Sequence, residues 1–333
     1  MVKFHAATKT PRRFDTALHR LAACFAVASF SNLLSGVAHA VENITPFLPG
    51  ATIGVPVGAL PPPGLYFSSA NTVFDMNVKN DQGQNTGIHV LDPSTNEALL
   101  YVPDFPKIFE ATYGALIIQG IRAPSTSIPG EGTFSNFGFV NTVISPLILS
   151  WDLHEGFFAS VGLTTYSPAF NYNVTAIQNT SRNYATLELA LGLSYLGNGW
   201  NLTVHPLFDF NFTNPANGYK SGVLFIMDYT ALHKFGNFEA GAGGTLTAQV
   251  SNDTLHGTTV AAVPGGNGYG NRAQNFTLGP VVGYDFGVVA LTAYYNRSVY
   301  AGNIAAGNNF WFRFDVPLTS TAPAKATSLA GPR

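Results

Sequence analysis

The chain has 333 residues, of which 46% are hydrophobic and only 10% charged. Soluble domains usually carry about a quarter charged residues, and disordered chains lack the 13% Phe, Trp and Tyr found here. Beyond residue 40 no run approaches the roughly 18 consecutive apolar residues that a spanning helix needs. One class remains: a β-rich protein whose strands are apolar on one face and uncharged-polar on the other.

Residues 1–40 read as an export signal. Lys3, Lys9, Arg12, Arg13 and Arg20 form a basic start, Leu21 to Val37 an apolar stretch, and Ala38-His39-Ala40 a small-residue cleavage site. The lipoprotein-like Leu21-Ala22-Ala23-Cys24 fits poorly, because the apolar stretch should precede the cysteine. Cleavage after Ala40 removes five of the 16 basic residues and one of the 18 acids, leaving 11 against 17 and a net charge of −6. No basic stripe remains to pair with phosphates, so nucleic acid is not an expected partner. The single cysteine, Cys24, leaves with the signal, and no disulfide can brace the remainder.

Residues 41–63 are rich in proline (Pro46, Pro49, Pro56, Pro61, Pro62, Pro63) and read as an irregular lead-in, an extra strand or a plug. From Gly64 the chain alternates. Strands are predicted at about 64–79, 107–121, 134–150, 156–168, 184–195, 201–213, 219–234, 238–250, 272–285, 287–300 and 309–317. The clearest is Asn201 to Thr213, with Leu202, Val204, Phe208, Phe210 and Phe212 opposite Asn201, Thr203, His205, Asp209 and Asn211. A period of two over a dozen residues is strand, and most of these segments match the 9–11 residues of a spanning strand. Between them, tight turns such as Gly197-Asn198-Gly199 and Phe235-Gly236-Asn237 alternate with long connections such as 169–183 and 251–271. Outer-membrane barrels alternate in this way. The predicted fold is therefore all-β: a transmembrane antiparallel up-and-down barrel over 64–318, with a flexible tail at 319–333.

Bacterial barrels of one chain have an even strand number, and this reading finds an odd one. About 12 strands are expected. The missing strand is either 47–60 or part of 80–104, around Gly87–Asp92 or Leu99–Val102.

Little in the sequence suggests catalysis. His89, His154, His205, His233 and His256 show no metal spacing, and Gly265 to Gly270 lacks the lysine and hydroxyl of a phosphate loop. Ser194 and His205 lie on neighbouring strands but out of register for a nucleophile and its base. No cofactor, metal or enzymatic activity is expected. Charges on a lipid face are costly, so ionisable residues on spanning strands should point inward. The candidate lumen-lining residues are Asp75, Glu110, Tyr166, Glu188, Asp209, Glu239, Asp285, Tyr294, Trp311, Arg313 and Asp315. Thr186 and Thr203 should share that wet interior, with Glu188 and Asp209 near neighbours on one wall.

Several phrases of the chain are distinctive as a set: Pro61-Pro62-Pro63-Gly64-Leu65-Tyr66, Pro146 to Trp151, Tyr219-Lys220-Ser221-Gly222, Leu278 to Asp285, and Phe310-Trp311-Phe312-Arg313-Phe314. The chain thereby resembles the outer-membrane family of meta-pathway phenol degradation proteins. That resemblance implies a transporter-like barrel, linked to aromatic catabolism, that takes up small hydrophobic or aromatic compounds. It carries no catalytic motif. The partners it implies are outer-membrane lipid and lipopolysaccharide, the barrel-assembly machinery and a small hydrophobic solute. A fatty-acid-type channel, or a barrel with a filled lumen that serves as a structural or surface-binding element, are the alternatives.

Overall fold

Side-chain alternation over a dozen residues leaves each segment with one apolar and one polar face, and the chain disposes of both by closing a sheet on itself. A computed structural model describes residues 46–168, 171–260 and 271–320. The predicted signal segment 1–40, the glycine run 265–270 and residues 321–333 of the predicted tail lie outside the described residues. Twelve long strands form the wall: β1 Gly64–Lys79, β2 Asn85–Val102, β3 Thr112–Arg122, β4 Thr142–Asp152, β5 Phe157–Ser167 and β6 Thr186–Tyr195, then β7 Trp200–Asn211, β8 Leu224–Phe235, β9 Phe238–Gln249, β10 Gln274–Asp285, β11 Ala290–Gly302 and β12 Ala305–Ser320. Each pairs antiparallel with its chain neighbours, and β1 pairs with β12 from Gly64↔Ser320 to Val78↔Ala305. The sheet has no free long edge.

The missing strand is β2, which takes up most of 80–104. Residues 47–60 form no strand. Adding β2 puts the 80–84 turn at the end of the long connections 123–141, 168–185, 212–223 and 250–273. The opposite end carries the tighter 153–156, 196–199, 236–237 and 286–289. The 301–308 segment, expected as a loop, is mostly strand, and only Asn303-Ile304 turns. At the β6–β7 corner Asn198 and Gly199 both take positive φ, 53° and 80°, the backbone that a tight hairpin of the favoured hand requires.

Strands β6 and β7 show how the wall is built. Leu187, Leu189, Leu191, Leu193, Leu202, Val204 and Phe210 are exposed, while Thr186, Glu188, Ser194, Thr203, Asp209 and Asn211 are buried. A soluble protein would bury the first set. Here the exposed leucines face lipid and the polar residues fill the interior. The lumen at Thr186 and Thr203 is not wet, contrary to the sequence-based expectation. Thr186 Oγ1 donates to Asn211 Oδ1 at 2.7 Å, and Thr203 bonds Ser194 and Asn201.

Leu189→Arg should therefore cost assembly about 2–4 kcal/mol, since it places a charge in mid-bilayer hydrocarbon. Asn198→Arg, in the turn, should fold normally. Heat-modifiable gel mobility of the two variants checks this.

Candidate functional site

The lumen is occupied by the chain's own lead-in. Between Pro46 and Pro63 the prolines remove backbone donors and fix φ, so the segment cannot join a ladder. It coils through successive tight turns instead: Ala51 N to Leu48 O, Ile53 N to Gly50 O, Val55 N to Thr52 O and Ala59 N to Pro56 O, each at 2.9–3.0 Å. Gly50 and Gly54 adopt φ of 102° and 84°, which side chains disfavour.

Backbone groups left over from these turns are satisfied by side chains of the wall. Asp228 on β8 accepts from Gly50 N (2.9 Å), Thr52 N (3.0 Å) and Thr52 Oγ1 (2.8 Å), and also from Thr245 Oγ1. Thr230 Oγ1 accepts from Gly54 N, Ser194 Oγ from Gly58 N and Ser150 Oγ from Leu60 N. In the other direction Tyr294 OH donates to Gly50 O at 2.7 Å and Arg313 Nη1 to Ile53 O at 3.0 Å. Ser160 and Ser150 donate to Val57 O and Gly58 O. Two apolar anchors complete the seating. Ile53 is fully buried among Phe74, Leu232, Val281, Tyr294 and Trp311, and Phe47 packs on Tyr166, Ala190, Leu207, Leu224 and Ile226. The approach is close: a Cβ on Gly192 would stand 2.9 Å from Val57 backbone, so only glycine fits there.

Toward the long-loop end, Glu188 and Asp209 face each other directly in register across β6 and β7. Tyr166 OH donates to Glu188 Oε2 at 2.7 Å, whereas neither oxygen of fully buried Asp209 meets a donor among the described residues. At the short-turn mouth Arg313 Nε donates to Asp315 Oδ2 at 3.1 Å, and Lys234 Nζ reaches Asp285 Oδ2 at 3.5 Å. With Glu239 and Asn201 these groups rim a recess of about 470 Å³ that opens to solvent.

Nine of the sequence-predicted residues thus point inward: Tyr166, Glu188, Asp209, Glu239, Asp285, Tyr294, Trp311, Arg313 and Asp315. Two do not. Asp75 stands on the opposite face of β1 from Phe74 and Met76, which pack inside, and pairs with half-exposed His89 at 2.8 Å. Glu110 is not on a strand at all, because β3 begins at Thr112; it lies exposed in the 103–111 connection at φ 63°. Sequence reasoning passed over Asp228, the residue that seats the segment, although it shares the inward parity of Ile226 and Thr230. It also passed over the inward ion pair of Asp92 with Arg122. Ser194 and His205 do not meet: Ser194 holds Gly58 and Thr203, and His205 Nδ1 bonds Thr52 Oγ1 at 3.0 Å. Among the described residues no group of three or more His, Cys, Asp or Glu could hold a metal ion.

A family model described as "Putative MetA-pathway of phenol degradation" matches residues 80–314. The chain belongs to this family. Among solved structures, an outer membrane channel from Pseudomonas putida F1 superposes with a TM-score of 0.67 at 14% identity, covering 81% of this chain and 99% of that one. At that identity the likeness shows the fold, a transmembrane barrel. The beta domain of the Bordetella autotransporter BrkA is more distant, with a TM-score of 0.45 and 11% identity over 78% of this chain and all of that one. No curated protein sequence matches.

Asp228→Ala should free the lumenal segment while leaving the wall folded. Hydrogen bonds to a charged group contribute about 1.5–3 kcal/mol each, so amide exchange at Gly50 and Thr52 should quicken by about tenfold or more. Mass-spectrometric exchange of a peptide spanning 46–60 reads this directly.

Proposed function

We propose that the protein is an outer-membrane channel that takes up small hydrophobic or aromatic compounds, and that residues 46–60 are its gate. One observation carries this reading: a closed barrel of this family keeps in its lumen a segment that belongs to no strand. Side chains hold it, and each such bond can be exchanged for a bond to water without opening the wall. The family description ties its members to phenol degradation, which supports an aromatic solute. So does the lumen, where Trp311 stacks on Tyr294 with centroids 5.5 Å apart and receives Phe74 edge-on at 5.6 Å. A ring entering there meets aromatic surface at favourable geometry. Residues 1–40, cleaved after Ala40, would deliver the chain to the barrel-assembly machinery, and the long connections would face lipopolysaccharide. The lumen-lining residues tune which solutes pass rather than perform chemistry.

The same lumenal segment favours a second reading, a permanently filled barrel whose loops 168–185 and 250–273 bind something outside. Planar-bilayer conductance separates the two. Deleting residues 46–60 should raise unitary conductance several-fold over the parent, with both barrels heat-modifiable. A folded deletion variant that conducts no better than the parent would establish the filled barrel. In the open variant, Glu188→Gln combined with Asp209→Asn should relax discrimination against anions, read as a shift in reversal potential under a salt gradient. An unchanged reversal potential would remove these carboxyls from the permeation path.

A further inference from the structure

The outward face of β1–β3 breaks the rule that the rest of the wall obeys. Ser69 and Asn71 on β1, Thr95 and Glu97 on β2 and Gln119 on β3 form one contiguous cluster, since Ser69 pairs with Glu97, Asn71 with Thr95 and Glu97 with Gln119. Their outward direction follows from their neighbours. Gly114, Leu100 and Leu60 come together inside, while Leu99, Tyr101 and Ile117, on the same parity as Glu97 and Gln119, are exposed. Apolar residues of the outward face surround the cluster. Phe67 and Leu99 lie toward the short-turn end, Val73, Leu91 and Ile121 toward the long-loop end, and Phe312 and Phe314 on β12 beside it. Ser69, Asn71, Thr95 and Glu97 therefore sit within the hydrocarbon belt, while Gln119 reaches Val140 O in the 123–141 connection.

The cluster is only partly self-satisfied. Ser69 Oγ and Thr95 Oγ1 both donate to Oε1 of Glu97, at 2.9 and 2.8 Å, so both bonds fall on one oxygen and Oε2 meets no donor among the described residues. Gln119 spends its amide on the carbonyls of Gly120 and Val140, and its own carbonyl accepts from Thr142 Oγ1. Among the described residues the Asn71 amide reaches only Ser69 Oγ at 3.3 Å and Phe312 O at 3.5 Å, both near the limit of a hydrogen bond. An open acceptor thus stands beside an underused donor, and lipid tails can satisfy neither.

We infer that this face is where two copies of the chain associate side by side in the membrane. Copies inserted in the same sense can be related only by a two-fold axis along the membrane normal, which brings residues of equal depth together. Asn71 lies diagonally across the β1–β2 ladder from Glu97. Strand tilt, roughly 35–45° in such barrels, brings that diagonal to nearly one depth. The axis then sets Glu97 of each copy against Asn71 of the other, so each carboxylate receives the amide it lacks. The patch is its own complement, as an isologous contact requires. Polar side chains between spanning elements act as such a glue.

Cysteine cross-linking tests the contact on the full chain in outer-membrane vesicles. Cys24→Ser makes an introduced thiol the only one. Coexpressed copies carrying Asn71→Cys and Glu97→Cys, which the two-fold sets against each other, should give a disulfide-linked species of twice the monomer mass under copper–phenanthroline oxidation. Leu191→Cys, exposed on the β6 wall, should not. Glu97→Leu should weaken self-association about tenfold, read by energy transfer between labelled copies diluted in lipid, with heat-modifiable mobility unchanged. Cross-linking of the Asn71→Cys and Glu97→Cys pair no stronger than of Leu191→Cys would overturn the inference, as would an adduct whose mass is that of some other protein. The cysteine comparison decides the matter even where Glu97→Leu fails to assemble.

Discussion

Every backbone N–H and C=O that crosses hydrocarbon must find a partner within the protein, because lipid offers none. In this chain the constraint is met by the seam between β1 and β12, which share a ladder from Gly64↔Ser320 to Val78↔Ala305. Once that seam closes, no edge is left for another segment to join. The lead-in reaches β1 at the short-turn mouth and carries six prolines between Pro46 and Pro63. It can neither add a strand nor pair with one. Its polar groups must then be met by side chains, and the lumen supplies Asp228, Thr230, Ser194, Ser150, Tyr294 and Arg313 for the purpose.

On the proposed reading, that same seating would decide what kind of gate the segment is. Hydrogen bonds from wall to segment exchange for bonds to water, so their net contribution is modest. The persistent cost of withdrawal is re-exposure of Ile53 and Phe47, about 1.5–3 kcal/mol each. These two side chains alone would leave the segment withdrawn in no more than roughly one molecule in 10² to 10⁴. On the proposed reading, a solute that competes for the Ile53 site would shift the balance by its own affinity.

How far the sequence could be read depended on how cleanly each strand separates its two faces. On β6, β7 and β9 the period of two holds almost throughout, broken on β7 only at Leu207, and their boundaries, turns and inward carboxyls were all legible. On β2 it fails. Asp92, Pro93, Ser94, Thr95, Asn96 and Glu97 run together with no apolar alternation, and the strand was visible only as a defect in parity. Asp75 was misplaced for the same reason, because Ser69, Asn71 and Asn77 made the outward face of β1 look like an interior one. Local bulges added error: the register slips between Ile144 and Leu147, at Pro146, and between Gly114 and Leu116. For the lead-in the sequence offered an extra strand or a plug and could not choose between them. Its contacts lie some 90 to 260 residues away in the chain, and no local pattern encodes them.

These failures share one cause, which is that the barrel is amphipathic around its circumference as well as through its wall. On β6–β8 the interior carries the carboxyls Glu188, Asp209 and Asp228 among buried Leu207, Leu224, Ile226 and Leu232, and the exterior is leucine and phenylalanine. On β1–β3 the sense is partly reversed. Phe74, Met76 and Leu100 point inward, while Ser69, Asn71, Glu97 and Gln119 point out. Seen from within, the carboxyls of β6–β8 lie across from the aromatic side chains of β1 and β12, with the lead-in lodged between them. Ile53 rests on the apolar side through Phe74 and Trp311, and Gly50 and Thr52 on the charged side through Asp228. A small aromatic solute with one polar group has the same two-sided character, so it can replace those contacts at both walls. A purely polar sugar could replace only the second. Aromatic and carboxyl contacts offered together around the lead-in, rather than any single residue, are therefore what would select an aromatic solute over a sugar.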